Sequence, residues 1–222
     1  MIKKLWYRLL FWLTGTRPYL WAMKHFFPYI RFSLYYALPE NTEFPQWGAL
    51  EHRGFLRLKP GDLIFTIDNQ KFSSKVIGSA TKEVGGKSPY FMPSHIALCV
   101  ELDTEAEILE MTHLDYTEST WEDVVRQSTR TVIARCSDWD QAYVNDVIIP
   151  TAKSFKGKKY DDRFQMGEDT LACSELPYFA DQERRAKVNL APVIGETPYI
   201  TPVGWILGEN IEIVWDSNLE FA

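Results

Sequence analysis

The runs "HIALCVEL" at 95–102 and "EILEMTH" at 107–113 are strand-like and are joined by a short link around Asp103, Thr104 and Glu105. So short a link cannot carry the long crossover that a parallel pair needs, so the two runs predict an antiparallel hairpin. Alternation places His95, Ala97 and Cys99 on one face of the first strand, and Ile108, Glu110 and Thr112 on one face of the second. More of the chain follows this pattern. In "PGDLIFTI" turn residues lead into a strand from Leu63 to Ile67, "RTVIARC" reads as another strand, and "NIEIVWD" closes the chain with Ile211, Ile213 and Trp215 alternating.

Between these runs lie helical segments. "SSKVIGSATKEV" at 73–84 reads as a short helix, and "STWEDVVRQS" as a helix capped by Ser119 or Thr120 with Glu122 or Asp123 in its first turn. "DWDQAYVNDVIIPTAKSF" is helical in pattern, with Pro150 expected to kink or end it early. Strands in the middle with helices around them predict an α+β fold with a mostly antiparallel sheet.

The 222 residues, 45% hydrophobic and 24% charged, suffice for a real core without metal or disulfide staples. Charge is unevenly placed. No acidic residue precedes Glu40, while Lys3, Lys4, Arg8, Arg17, Lys24 and Arg31 are basic, and the remainder is strongly acidic. In "KKLWYRLLFWL" at 3–13, Leu5, Leu9 and Leu13 with Trp6 and Trp12 share one helical face, and Lys4 and Arg8 the other. Such an arm either packs on its own domain or lies on a membrane surface or a protein partner through residues 1–37. Arg8 in the first apolar run, and Lys24, His25, Arg31 and Pro28 in the second, argue against a membrane span. The interrupted hydrophobic stretch also argues against a cleavable signal peptide. A cytoplasmic or peripheral-membrane location follows, with a virion-associated one left open.

Three cysteines, Cys99, Cys136 and Cys173, do not suggest a disulfide framework, and the four histidines have no zinc-ligand spacing. No metal and no cofactor are expected. Gly86-Lys87-Ser88 lacks the earlier glycine of a phosphate loop, since Thr81 stands there, and the acidic body excludes nucleic acid as a partner. Cys173 sits where the polar stretch containing Asp169 and Thr170 meets a helix-like run, "CSELPYFADQERR". A cysteine in the first turn of a helix faces unpaired amides that favour its thiolate, though cysteine is also a common buried filler. A nucleophile further needs a base and a group to orient that base. His95, opening a strand after a proline-containing loop, and Glu110 on the paired strand are candidates; each has a structural reading as well.

Together "PGDLIF" at 60–65, "SHIALCVE" at 94–101, "ILEM" at 108–111, "GKKYDDRF" at 157–164 and "ACSEL" at 172–176 resemble the YiiX/YaeF-like permuted papain-like amidases. These are relatives of the NlpC-type cell-wall peptidases and of the lecithin:retinol acyltransferase group. The resemblance covers roughly residues 55–217, ending in "ITPVGWILGENIEIVWD". It implies a permuted papain-like (NlpC-like) fold in a hydrolase domain over 41–222, with the aromatic arm over 1–40 outside it. By resemblance Cys173 is the nucleophile, His95 the general base and acid, and Glu110 the third polar residue; Tyr160, Asp161 and Ser94 are substrate-binding. Pro177 departs from the family pattern, standing where a helix-favouring apolar residue is usual. The implied activity is that of a cysteine amidase, peptidase or acyl hydrolase, or an acyltransferase. Its substrate would be a peptide, such as a cell-wall stem peptide, or a lipid amide or ester. The alternative is a non-catalytic module of a larger assembly, such as a virion, using the same fold.

Overall fold

The computed structural model describes residues 53–67, 84, 91–103, 106–126, 128–161, 166–167, 169–191 and 198–218. The basic arm and the helix expected over 73–84, apart from Val84, lie outside them. The strands are β1 (Leu63–Ile67), β2 (His95–Leu102), β3 (Ala106–Thr112), β4 (Asp115–Thr120), β5 (Arg130–Cys136) and β8 (Ile211–Asp216), and they form one six-stranded sheet in the order β4-β3-β2-β1-β5-β8. Each of its pairings is antiparallel. Two short strands, β6 (Lys159–Tyr160) and β7 (Thr170–Leu171), pair in parallel.

Alternation along the central strands has the expected effect, but both faces are buried. Leu63, Phe65, Ile96, Leu98, Leu109, Met111, Val132 and Ala134 belong to the main core cluster. That cluster also takes in Tyr143, Val144, Ile148 and Ala152 from the helical stretch 141–154, and Leu176, Trp205 and Ile206 from further along the chain. Ile64, Ala97, Cys99, Ile108 and Ile133, which alternate with the first set, are also fully buried. Burying a side chain of this size contributes about 1.5–3 kcal/mol, so the sheet interior is held from both sides. Trp121 of helix α1 (Trp121–Arg126) meets Trp215 of β8 edge-on with centroids 6.0 Å apart.

Three local outcomes differ from expectation for identifiable reasons. Strand β4, "DYTEST", has no apolar alternation because it is an edge strand paired only to β3. Pro150 neither ends nor breaks its helix. Helix α2 (Gln141–Tyr143) runs through a π turn (Val144–Ile148) into α3 (Ile149–Ser154), and the Ile149 amide donates five residues back to the Val144 carbonyl. The wider turn just ahead of Pro150 makes room for its ring and its missing N–H, and the proline then opens a fresh α segment. The helix expected to begin at Cys173, α4, covers only Glu175–Ala180: Cys173 lies in the turn before it, not in its first turn, and the helix stops short of the expected Arg185. There Asp181 turns the chain: its carboxylate accepts from the Ala186 amide at 2.7 Å and from the Tyr143 hydroxyl at 2.7 Å.

The "PGD" turn explains itself in the structure. Gly61 has φ +91°, and a Cβ there would come within 2.7 Å of Val144, so no other residue fits without strain. Asp62 is fully buried and grips Arg135 of β5 with both oxygens, at 2.7 and 2.8 Å, while also accepting from the Lys59 amide at 2.8 Å. Burial acts to raise the Asp62 pKa and wins over the opposing pull of Arg135. Removing one member of such a pair leaves the other without its partner. Asp62→Ala is therefore expected to lower the stability of the folded chain by about 2–3 kcal/mol in urea denaturation, since Arg135 retains some solvent. Glu122→Ala, which removes an exposed ion pair with Arg126, should cost under about 0.5 kcal/mol.

Candidate active site

Strand register builds one half of the site. Leu98 lies opposite Leu109 and Cys99 opposite Ile108, so Glu110 faces the stretch of β2 that begins at His95. His95 Nε2 and Glu110 Oε2 are 2.7 Å apart, a diagonal contact across adjacent strands. The His95 side chain is 25% exposed and that of Glu110 8%, so the ring is the more open of the two. The other carboxylate oxygen, Glu110 Oε1, accepts from Ser119 Oγ of β4 at 2.5 Å. Sequence reading made Ser119 an alternative helix cap; the structure gives that task to Thr120, which exchanges hydrogen bonds with Asp123 in a reciprocal cap.

The second half comes from residues 157–176. Parallel pairing of β6 with β7 sets Tyr160 against Leu171, and the Asp161 amide donates to the Leu171 carbonyl at 3.0 Å. This carries the "KKYDD" stretch alongside the residues that lead into Cys173. Tyr160 is half-buried against the core cluster, with its amide held by Asp115 Oδ1 at 3.0 Å. Asp161 is buried. Ser94 is buried too, and its hydroxyl donates to the Thr66 carbonyl at 3.4 Å.

Cys173 precedes α4 and is 3% exposed. It lies close enough to His95 for its charge to act on the ring. Because Glu110 occupies Nε2, Nδ1 is the ring nitrogen left for the thiol. Burial works to lower the His95 pKa; the charge on Cys173 and the hydrogen bond to Glu110 outweigh it and raise the value to about 10. The other two thiols sit elsewhere and are pushed the opposite way from reactivity. Burial, helped by the charge on Asp62, raises Cys99 to about 12, and burial raises Cys136 to about 11.

Three contacts fix the cysteine turn. Ser174 Oγ donates to the Ile200 carbonyl at 2.8 Å, Trp205 Nε1 donates to the Ser174 carbonyl at 2.9 Å, and the Ala172 amide donates to Glu175 Oε2 at 2.7 Å. Trp205 lies in helix α5 (Pro202–Ile206), capped by Thr201 and pressed so close to Asn189 that a Cβ on Gly204 would meet its carbonyl at 2.1 Å. Sequence reading gave neither Trp205 nor Glu175 a task at the site. Of the expected site residues, the structure joins His95 and Glu110 by a hydrogen bond, sets Cys173 near enough to act on the His95 ring, and leaves Asp161 near enough for its charge to act on Glu175.

The sheet and its packed helices define an α+β protein with a mostly antiparallel sheet, and its fold is YiiX-like. The chain is similar to a solved structure described as metalloprotein yiiX from Escherichia coli O157:H7, DUF1105, with a TM-score of 0.61 and 18% identity over 72% of this chain and 97% of that one. No family model matches the sequence, and no curated protein matches it. Among the described residues no helix is long and apolar enough to cross a membrane.

Glu175 gives this region a pH signature. Burial, together with the charge on Asp161, raises its pKa from 4.5 to about 8, against the opposing pull of the Ala172 amide. With the folded pKa above the unfolded one, its contribution is fully present below about 4.5 and fades as pH climbs toward 8. Glu175→Gln keeps an oxygen for the Ala172 amide and removes the titration. Thermal unfolding between pH 4.5 and 8 should show wild type losing stability relative to the glutamine variant as pH rises; parallel curves would remove Glu175 as the source.

Proposed function

We propose that the chain is a cysteine-dependent acyl hydrolase or acyltransferase with a permuted papain-like arrangement, in which Cys173, His95 and Glu110 act together. The observation that carries this reading is an imidazole hydrogen-bonded to a carboxylate at 2.7 Å, with Cys173 near enough for its charge to act on the ring. A base fixed by a third group and in contact with a nucleophile is the arrangement that covalent acyl transfer requires.

In the proposed reaction the Cys173 proton passes to His95, and the sulfur attacks the carbonyl carbon of an amide or ester. The carbonyl electron pair moves to oxygen, where the Cys173 amide is the proposed donor. Collapse of this intermediate breaks the bond to the leaving group, which takes the proton from the His95 imidazolium, and a thioester remains. Water or a second nucleophile then gives its proton to His95 and attacks the thioester, and the thiol regains the proton. Glu110 keeps the ring in the tautomer that faces Cys173 and favours the imidazolium. Substrates are a peptide amide or a lipid amide or ester. Tyr160 would line the cleft, and the burial of Asp161 suits support of the cysteine turn through Glu175 better than direct substrate contact.

The solved relative's description as a metalloprotein raises a resident metal for this chain. Among the described residues no group of three or more His, Cys, Asp and Glu side chains is placed to hold an ion, and His95 Nε2 is engaged with Glu110. These residues do not fit such a metal, and the proposed reaction uses none.

The test is iodoacetamide alkylation of each cysteine against pH, read by peptide mass spectrometry. At pH 6 in native protein Cys173 should react about tenfold or more faster than Cys99 and Cys136, and His95→Ala should abolish that advantage. If Cys173 reacts no faster than the other two, the catalytic reading fails and a non-catalytic module is left.

A further inference from the structure

Glu110 can orient His95 only if its own carboxylate is held, and a third strand takes part in holding it. Thr117, directly opposite Glu110 on β4, is engaged elsewhere: its hydroxyl meets Thr112 Oγ1 at 3.0 Å and donates to the Asp115 carbonyl at 3.1 Å. Ser119 lies opposite Ile108, two residues along β4 on the same face, and from there its hydroxyl reaches Glu110 Oε1 at 2.5 Å. His95 takes Oε2. The neighbouring Thr120 caps α1 through its exchange of hydrogen bonds with Asp123, which leaves the Ser119 hydroxyl to Glu110.

We infer that Ser119 is a positioning residue, which locks the Glu110 carboxylate through one oxygen so that the other stays on the His95 ring. This rests on the proposed Cys173–His95–Glu110 reading and adds a fourth member from a third strand. Without the Ser119 donor the carboxylate can turn about its last torsion, and its contact with Nε2 is broken part of the time. Loss of that donor also makes the carboxylate a slightly stronger base, which acts in the opposite sense. Lost orientation wins, because the Nε2 contact is short and directional.

The experiment follows the His95 imidazole by two-dimensional ¹H–¹⁵N NMR across pH in full-length protein, with its signals assigned by their loss in His95→Gln. Wild type should titrate far above the ordinary imidazole range. Ser119→Ala should move that titration down by about half a unit to one unit, and Ser119→Thr, which keeps the hydroxyl on a strand-favouring residue, should restore it. Thr120→Ala is the structural control: it removes the cap of α1, lowers thermal stability, and leaves the His95 titration in place. An unchanged or raised His95 value in Ser119→Ala, with wild type still high, would overturn the role of Ser119 and leave the triad standing. Wild-type titration near the ordinary imidazole value would overturn both.

Discussion

The antiparallel register between β2 and β3 sets everything that follows from the hairpin. Side chains alternate with a period of two, so a slip of one residue would move His95 and Glu110 to opposite faces and break their contact. The slip is opposed on both sides of the sheet at once. Leu98 and Leu109 are paired across the strands and fully buried, and so are Cys99 and Ile108 on the alternate positions. β1 adds a second constraint, since its Leu63 and Ile64 meet Leu98 and Ala97. The irregularity in the β2–β3 ladder falls between Cys99 and Glu101, away from the end that carries His95. The polar line from His95 to Glu110 to Ser119 is thus positioned by the apolar packing of the strands that carry it.

Buried carboxyl groups around the site differ in what surrounds them, and that difference sorts their tasks. Glu110 is met by two side-chain donors, a ring nitrogen and a hydroxyl. Glu175 receives one backbone amide and faces the charge of Asp161, so burial dominates and its proton is held toward about 8. Donors stabilise the charged form of an acid; burial and a like charge disfavour it. The first environment suits a group that must balance an imidazolium. The second suits a hydrogen-bonding brace for the turn before Cys173.

Much of this was legible in the sequence because the central strands alternate and are bounded by turn residues. The hairpin, β1, β5 and the mostly antiparallel α+β class follow from that pattern alone. His95 stood out at a strand start, Glu110 as an acid on the paired strand and Cys173 ahead of a helix-like run, each with the motifs around it. Ser119 did not, because a serine beside a threonine ahead of "WEDVVR" reads as a helix cap, and only the pairing of a polar edge strand shows that Thr120 does the capping. β4 itself was hidden for the same reason, since one-sided pairing leaves no apolar signal. The passage of the helix through Pro150 depends on a π turn, a tertiary adjustment that residue propensity does not encode.

The two halves of the site rest on separate parts of the chain and meet at one contact. His95, Glu110 and Ser119 come from residues 95–119 of a continuous antiparallel ladder. The turn around Cys173 is tied instead to the C-terminal region, by Ser174 to the Ile200 carbonyl and by Trp205 to the Ser174 carbonyl. Trp205 is itself fully buried and stacked edge-on against Trp139, with centroids 6.0 Å apart. Placing the thiol within reach of the imidazole therefore requires the helical layer to be seated correctly on the sheet, since no segment of the hairpin determines it. A change in the packing of Trp205 would move the sulfur while leaving the His95–Glu110–Ser119 line intact. For the proposed nucleophile, sub-ångström shifts of this kind would matter, because acyl transfer depends on approach geometry more steeply than folding does.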